Sequence, residues 1–123
     1  LLNLDEEDKK RGYAGGMSAN RINAGLGTII SQVLEQVGRE KIAGLYTTGG
    51  DTMVNVCYQL GVECIEVMDY VIPQTDVGRL VGKYDGLPVV GKGGLTGNDN
   101  TACDIVERLF KESAPTHRAN PLF

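Results

Sequence analysis

Ile42-Ala43-Gly44-Leu45-Tyr46-Thr47-Thr48-Gly49-Gly50-Asp51-Thr52-Met53-Val54-Asn55-Val56-Cys57-Tyr58-Gln59-Leu60-Gly61 is the stretch on which the reading of this chain rests. An apolar run passes into a hydroxyl- and glycine-rich turn and then into apolar residues at helical spacing, which predicts strand, loop and helix. A turn between a buried strand and a helix start holds backbone N–H groups that no helical carbonyl can satisfy. Glycine lets an outside anion approach them, so the loop is a candidate phosphate site. A second stretch of the same design follows, Leu87-Pro88-Val89-Val90-Gly91-Lys92-Gly93-Gly94-Leu95-Thr96-Gly97-Asn98-Asp99. Parallel strands of an open α/β sheet end on one edge, and this predicts that the two loops face one ligand across a crevice there.

Upstream, Ser18 is the expected N-cap of the longest helix. Ile22, Leu26, Ile29, Ile30, Val33, Leu34 and Val37 recur at helical spacing up to Gly38, with polar residues elsewhere, so this helix is expected to cover one face of a sheet. Before it, Asp5-Glu6-Glu7-Asp8-Lys9-Lys10-Arg11 has nothing to bury, and residues 1–17 read as a solvated, flexible leading segment. The opening at Leu1, without an initiator Met, is consistent with a piece of a longer protein.

Downstream, Cys64-Ile65-Glu66-Val67-Met68 and Tyr70-Val71-Ile72 are β-rich, and Pro73 stops the strand or confines it to an edge. Asp85-Gly86 between the β runs 79–84 and 87–90 predicts a hairpin with a two-residue turn, hence a mixed sheet. From Asn98 or Asp99 as cap, Ala102, Ile105, Val106, Leu109 and Phe110 form an amphipathic helix. The expected organisation is an α/β domain over 18–111, a mixed sheet flanked by helices, followed by an extended tail over 112–123.

The 123 residues suit one domain, with 41% hydrophobic content and a net charge of −4. No basic run interleaves with the few aromatics, which argues against nucleic-acid binding. No apolar run reaches membrane-spanning length and no leader pattern opens the chain; a cytoplasmic protein is expected. Cys57, Cys64 and Cys103 are odd in number, widely spaced and set among apolar residues, so reduced thiols are expected rather than a disulfide or a zinc site.

Asp51 lies in the first loop. A carboxylate beside a polyphosphate repels it unless Mg²⁺ or its water shell intervenes, or unless the carboxylate turns back as a helix cap. Lys92 either reaches a phosphate oxygen or snorkels at a strand end. Thr47, Thr48, Thr52 and Thr96 are hydroxyls beside the loops, with capping as their common fate. The run 86–93 nears the Walker pattern but lacks its final Ser or Thr and places a strand between its glycines, so it is no P-loop. Gly91 and Gly93 fail the dinucleotide fingerprint because Thr96 stands at its third glycine. His117, the lone histidine, lies in the Pro-bounded tail, and no catalytic arrangement forms around it. A noncatalytic module binding a nucleotide or a phosphorylated metabolite, and a structural domain whose glycine loops are only turns, remain as alternatives.

Thr48-Gly49-Gly50-Asp51-Thr52 followed by Lys92-Gly93-Gly94-Leu95-Thr96-Gly97 resembles the paired signatures in the C-terminal nucleotide-binding domain of the four-carbon acid sugar kinases, over residues 40 to 110. The resemblance implies part of the nucleotide-binding domain of a two-domain kinase that phosphorylates acids of the threonate, erythronate and oxo-tetronate type with ATP and Mg²⁺. By that resemblance Gly49, Gly50, Asp51 and Thr52 match the first nucleotide-binding motif and Gly94 the glycine of the second. Gly93 stands where the family carries serine. The sugar acid would sit in a separate substrate domain that this chain does not contain. No metal ligand and no catalytic base are assigned, and a homo-oligomer is compatible with the resemblance.

Overall fold

A computed structural model describes residues 3–114. Strands β1 (Leu45–Thr48), β2 (Val62–Ile72), β3 (Thr75–Gly82) and β4 (Pro88–Lys92) form one sheet in the order β1-β4-β3-β2. β1 and β4 are parallel neighbours, and β4, β3 and β2 pair antiparallel in turn, so the sheet is mixed as expected. Helices α1 (Leu4–Arg11), α2 (Met17–Val37), α3 (Gly50–Leu60) and α4 (Thr101–Ser113) complete the architecture. None of the described helices is long and apolar enough to cross a membrane.

Two apolar clusters hold the sheet between helices. Leu34, Val56, Leu60, Leu80, Leu87 and Val89 fill the side covered by α3. Val77, Val90, Ile105 and Leu109 fill the opposite side beneath α4. Alternation along β4, where Val89 faces one cluster and Val90 the other, accounts for its nearly continuous apolar sequence.

α2 differs from expectation. It packs on α3 rather than directly on the sheet, and Gly27 lets the two helices approach: a Cβ there would lie 2.8 Å from the Asn55 carbonyl oxygen. Its apolar stripe is broader than the surface α3 offers, so Ile22, Leu26, Ile29, Val33 and Val37 stay exposed.

The charged run in the leading segment is helical, not irregular. α1 has no apolar period for a pattern to detect. It is specified by its ends: Asn3 Oδ1 accepts from the Glu6 N–H, acids fill the first turn, bases fill the last, and Gly12 closes it in the left-handed conformation. Asp8, buried at its inner side, accepts from the N–H groups of Gly16 and Ser18, each at 2.8 Å. That remote carboxylate, and not Ser18, serves the start of α2, whose N-cap residue is Gly16.

Three connections also depart in detail. β2 runs unbroken through 62–72 as an edge strand, and the Pro73-Gln74 turn, with Gln74 at φ 64°, joins it to β3. The β3–β4 turn is wider than two residues, because the Gly86 N–H bonds back to the Leu80 carbonyl and Asp85 Oδ1 accepts from the Gly82 N–H. The α4 N-cap is Asn100, preceded by a turn in which Thr101 Oγ1 accepts from the Asn98 N–H. Glu112 and Ser113, expected in the extended tail, are the last residues of α4; the rest of that tail from residue 115, His117 included, lies outside the described residues.

Candidate functional site

Because β1 and β4 run side by side in the same direction, with Thr48 opposite Lys92, the chain leaves both strands at one edge of the sheet. The Gly49 N–H donates to the Lys92 carbonyl at 2.9 Å, which ties the two glycine turns together at their bases. Gly49 is the N-cap of α3 with φ 89° and ψ 134°, a conformation that a side chain would strain. The helix then begins at Gly50. No side chain caps it, and the first backbone bond back to Gly49 comes from Met53 at 3.2 Å, so the N–H groups of Gly50, Asp51 and Thr52 have no acceptor inside the helix. A Cβ on Gly50 would meet nothing within 4 Å, leaving open approach to those donors.

The turn after β4 is fixed differently. The Gly93 N–H donates to the Gln74 carbonyl at 2.8 Å, and Gly93's own carbonyl accepts from Lys92 Nζ at 2.7 Å and from Thr96 Oγ1 at 3.0 Å. Lys92 therefore stabilises the turn with its ammonium rather than standing free above it. Gly94 is open, with nothing within 4 Å of a built Cβ.

A cavity of about 250 Å³ adjoins both turns, over the sheet face that carries α3. Gly49 and Gly50 border it on the helix side and Lys92 and Gly93 on the strand side. Asp51, Thr52 and Gly94 are not among its lining residues. Thr52 donates to Asn23 Oδ1 of α2 at 3.2 Å, a contact that steadies the start of α3 against its neighbour helix. Asp51 is exposed and does not cap, so the turn keeps an unengaged carboxylate at its mouth.

Sequence reading did not single out Met53, Gln74, Asp76 or Gly78, all of which line this cavity. Glycine inside a strand is a signal of close approach, and Gly78 and Gly91 carried it. At Gly91 a Cβ would lie 2.9 Å from Met53 Sδ; at Gly78 it would lie 2.7 Å from Ile65 Cγ2. Gln74 and Asp76 gave no such signal, since their place at the site follows from a turn and a strand start that only pairing defines.

Among the described residues no three His, Cys, Asp or Glu side chains gather as a metal cage. A cage is not what a nucleotide-bound Mg²⁺ needs, because that ion keeps several waters and takes one or two carboxylates plus phosphate oxygens. A single exposed Asp51 beside unpaired helix N–H groups suits such a shared ion.

The model of the family described as nucleotide-binding C-terminal domain matches residues 2–102. D-erythronate kinase of Heliobacterium modesticaldum is 45% identical over 93 residues, 75% of this chain and 21% of that protein. D-threonate kinase of Salmonella typhimurium is 36% identical over 104 residues, 84% of this chain and 24% of the kinase. A domain of unknown function from Bordetella bronchiseptica, crystallised with bound citrate as a domain-swapped dimer, superposes with a TM-score of 0.69 at 27% identity, covering 80% of this chain and 24% of that one. A second crystal form of it gives 0.70 at 28% identity, with 79% and 24% covered. The chain thus spans under a quarter of the length of the curated relatives it matches.

Proposed function

Since the chain belongs to the family of nucleotide-binding C-terminal domains found in four-carbon acid sugar kinases, we propose that it is the part of such a kinase that holds ATP with Mg²⁺. One observation carries the reading: the glycine turns after β1 and β4 meet at one sheet edge, with the free N–H groups of Gly50, Asp51 and Thr52 directed out of a helix start. Those donors and the helix dipole, worth about 0.3 to 1 kcal/mol when exposed, favour the polyphosphate. Asp51 takes the water shell of Mg²⁺, which removes the repulsion its carboxylate would otherwise exert. Gly94 lets the second turn come close from the other side.

Phosphoryl transfer rests mainly on positioning and on charge stabilisation, and backbone donors of this kind supply both on the nucleotide side. The acceptor is a four-carbon sugar acid of the threonate or erythronate type, bound by a part of the kinase outside these residues, as is the base that takes its hydroxyl proton. The reading sets the reaction in the cytoplasm, in keeping with three free cysteines. It also allows an assembly of identical subunits.

The test is calorimetric titration of the chain with ATP, with and without Mg²⁺. Binding that strengthens with Mg²⁺ and falls at least tenfold in Gly50→Val, whose open position keeps the fold intact, is the expected result. Unchanged affinity in Gly50→Val, or no binding at all, would remove the reading. The chain by itself should show no sugar-acid kinase turnover, because the acceptor site lies elsewhere.

A further inference from the structure

β1 is an edge strand, yet the helices around it are arranged as they would be around an interior one. No described strand pairs with its outer side, so the backbone groups on that side have no ladder partner. β4 runs parallel to β1, β3 runs against both and β2 runs with them, so β1–α3–β2 is a parallel crossover. α2 lies beside α3 and points the same way: Asn23 meets Thr52 near the two helix starts, and Gly27 meets Asn55 and Gln59 about one turn on. α2 then leads into β1 through residues 38–44. A helix so placed is the crossover of a second strand–helix–strand unit, whose first strand is not among the described residues. Such units are right-handed, which puts that strand outside β1.

The side chains point to the same place. On α2, Gly27, Ile30 and Leu34 face α3 and the core beneath it. Leu26, Ile29 and Val33 each stand one residue earlier, about 100° round the helix, a rotation that turns them toward the sheet plane outside β1. With Ile22 and Val37 they form a stripe that is 42–56% exposed. On the other face of the sheet, Arg108 of α4 bonds to Asp69 on the β2 side, while Phe110 lines a cavity with Ile42 and Ala43 just before β1. Val106 and Phe110 therefore overhang the β1 edge from that face, both exposed. Two apolar helix flanks and an unpaired strand edge enclose one gap.

We infer that this gap takes a β-strand of the same kinase polypeptide, paired parallel with β1 and buried between α2 and α4. The strand comes from the part of the kinase that this chain does not span, since the chain covers only 21% and 24% of its curated relatives. The inference rests on membership of the family and not on where ATP binds. A second copy of the chain fits less well, because pairing β1 with its own symmetry mate would bring two α2 helices over one gap.

The test sets the full-length kinase beside the 123-residue chain. In the full-length kinase the amides of Leu45–Thr48 should exchange with deuterium as slowly as those of β4; if β1 is an edge there, its outer amides exchange at least about tenfold faster. Ile29→Lys, at a 56% exposed position, should leave the melting temperature of the 123-residue chain within about 2 °C of its parent. It should lower that of the full-length kinase by roughly 5 °C or more, because the lysine is buried there. Val54→Lys, equally exposed but on the flank of α3 away from α2, should shift neither. Fast exchange of the outer β1 amides in the full-length kinase overturns the proposal whatever the variants do. So does a full-length kinase that tolerates Ile29→Lys, or a 123-residue dimer that Ile29→Lys dissociates while the kinase is unaffected, which would assign the gap to a second copy. ATP titration of the same proteins reports separately on the nucleotide reading.

Discussion

Gly91→Ala tests the seating of α3 on the sheet at the site. The strand conformation at Gly91 is ordinary, so the substitution carries no left-handed strain, and alanine in a strand should even gain about 0.5 to 1 kcal/mol over glycine. Opposing this, the new Cβ would overlap the Met53 methyl and stand 2.9 Å from its sulfur, while Thr47 Oγ1, the next atom, is 4.0 Å away. The obstruction is therefore the end of one flexible side chain rather than backbone. Because the methionine end can swing aside, the cost lies in the lower part of the overpacking range, about 1 to 2 kcal/mol, and after the gain leaves a net loss of about 0 to 1.5 kcal/mol. At about 4 °C per kcal/mol, the melting temperature should drop by no more than roughly 6 °C. Met53→Ala removes the obstruction and, for a partly buried methionine, costs about 1 to 2 kcal/mol by itself. Thermal unfolding of the two single variants and the double variant closes a cycle. The double variant should be no less stable than Met53→Ala, a coupling of about 1 to 2 kcal/mol. Additivity within about 0.5 kcal/mol would refute the contact and, with it, the description of the cavity wall.

Three further outcomes are expected. Gly27→Ala should destabilise by about 1 to 2 kcal/mol despite alanine's helix propensity, because the Asn55 carbonyl oxygen cannot retreat, whereas Gly25→Ala, with open space around it, should stabilise by about 0.5 to 1 kcal/mol; chemical denaturation of both variants separates packing from propensity. Hydrogen bonds from the Ser18 side chain and N–H, and from the Gly16 N–H, hold the Asp8 carboxyl below its ordinary range. Its contribution is therefore complete above the usual aspartate value of about 3.9 and is lost as pH falls through the lower folded value; stability from pH 5 to 2 should fall more steeply in the parent chain than in Asp8→Asn, and equal slopes would show that the carboxylate does not serve α2. Burial pushes the Cys57 thiol up, so at pH 8 thiol labelling followed by mass spectrometry should modify exposed Cys64 and Cys103 before Cys57.

Much of the site could be read from local chemistry. The two runs of apolar residue, glycine and helix former each specify strand, turn and helix, and Gly49 and Gly50 occupy the positions where a side chain would strain the backbone or block the open donors. The hairpin signal also gave the antiparallel pairing of β3 with β4, although the turn proved wider because Leu80 and Gly86 bond across it. Readings failed where a residue's partner lies far off in sequence. Asp8 looked like one more solvated charge in an acidic run, yet it anchors the next helix. Thr52 likewise has a distant partner, its hydroxyl donating to Asn23 of α2.

What the sequence by itself determined is the set of elements and the character of their ends, since periodicity, capping residues and glycine act within a few residues of one another. Tertiary structure decided what those ends do together. Only the parallel pairing of β1 with β4 brings residues 49 and 93 to one edge. Strand order is set by which faces can be buried at once, a property of the whole sheet that no local window contains.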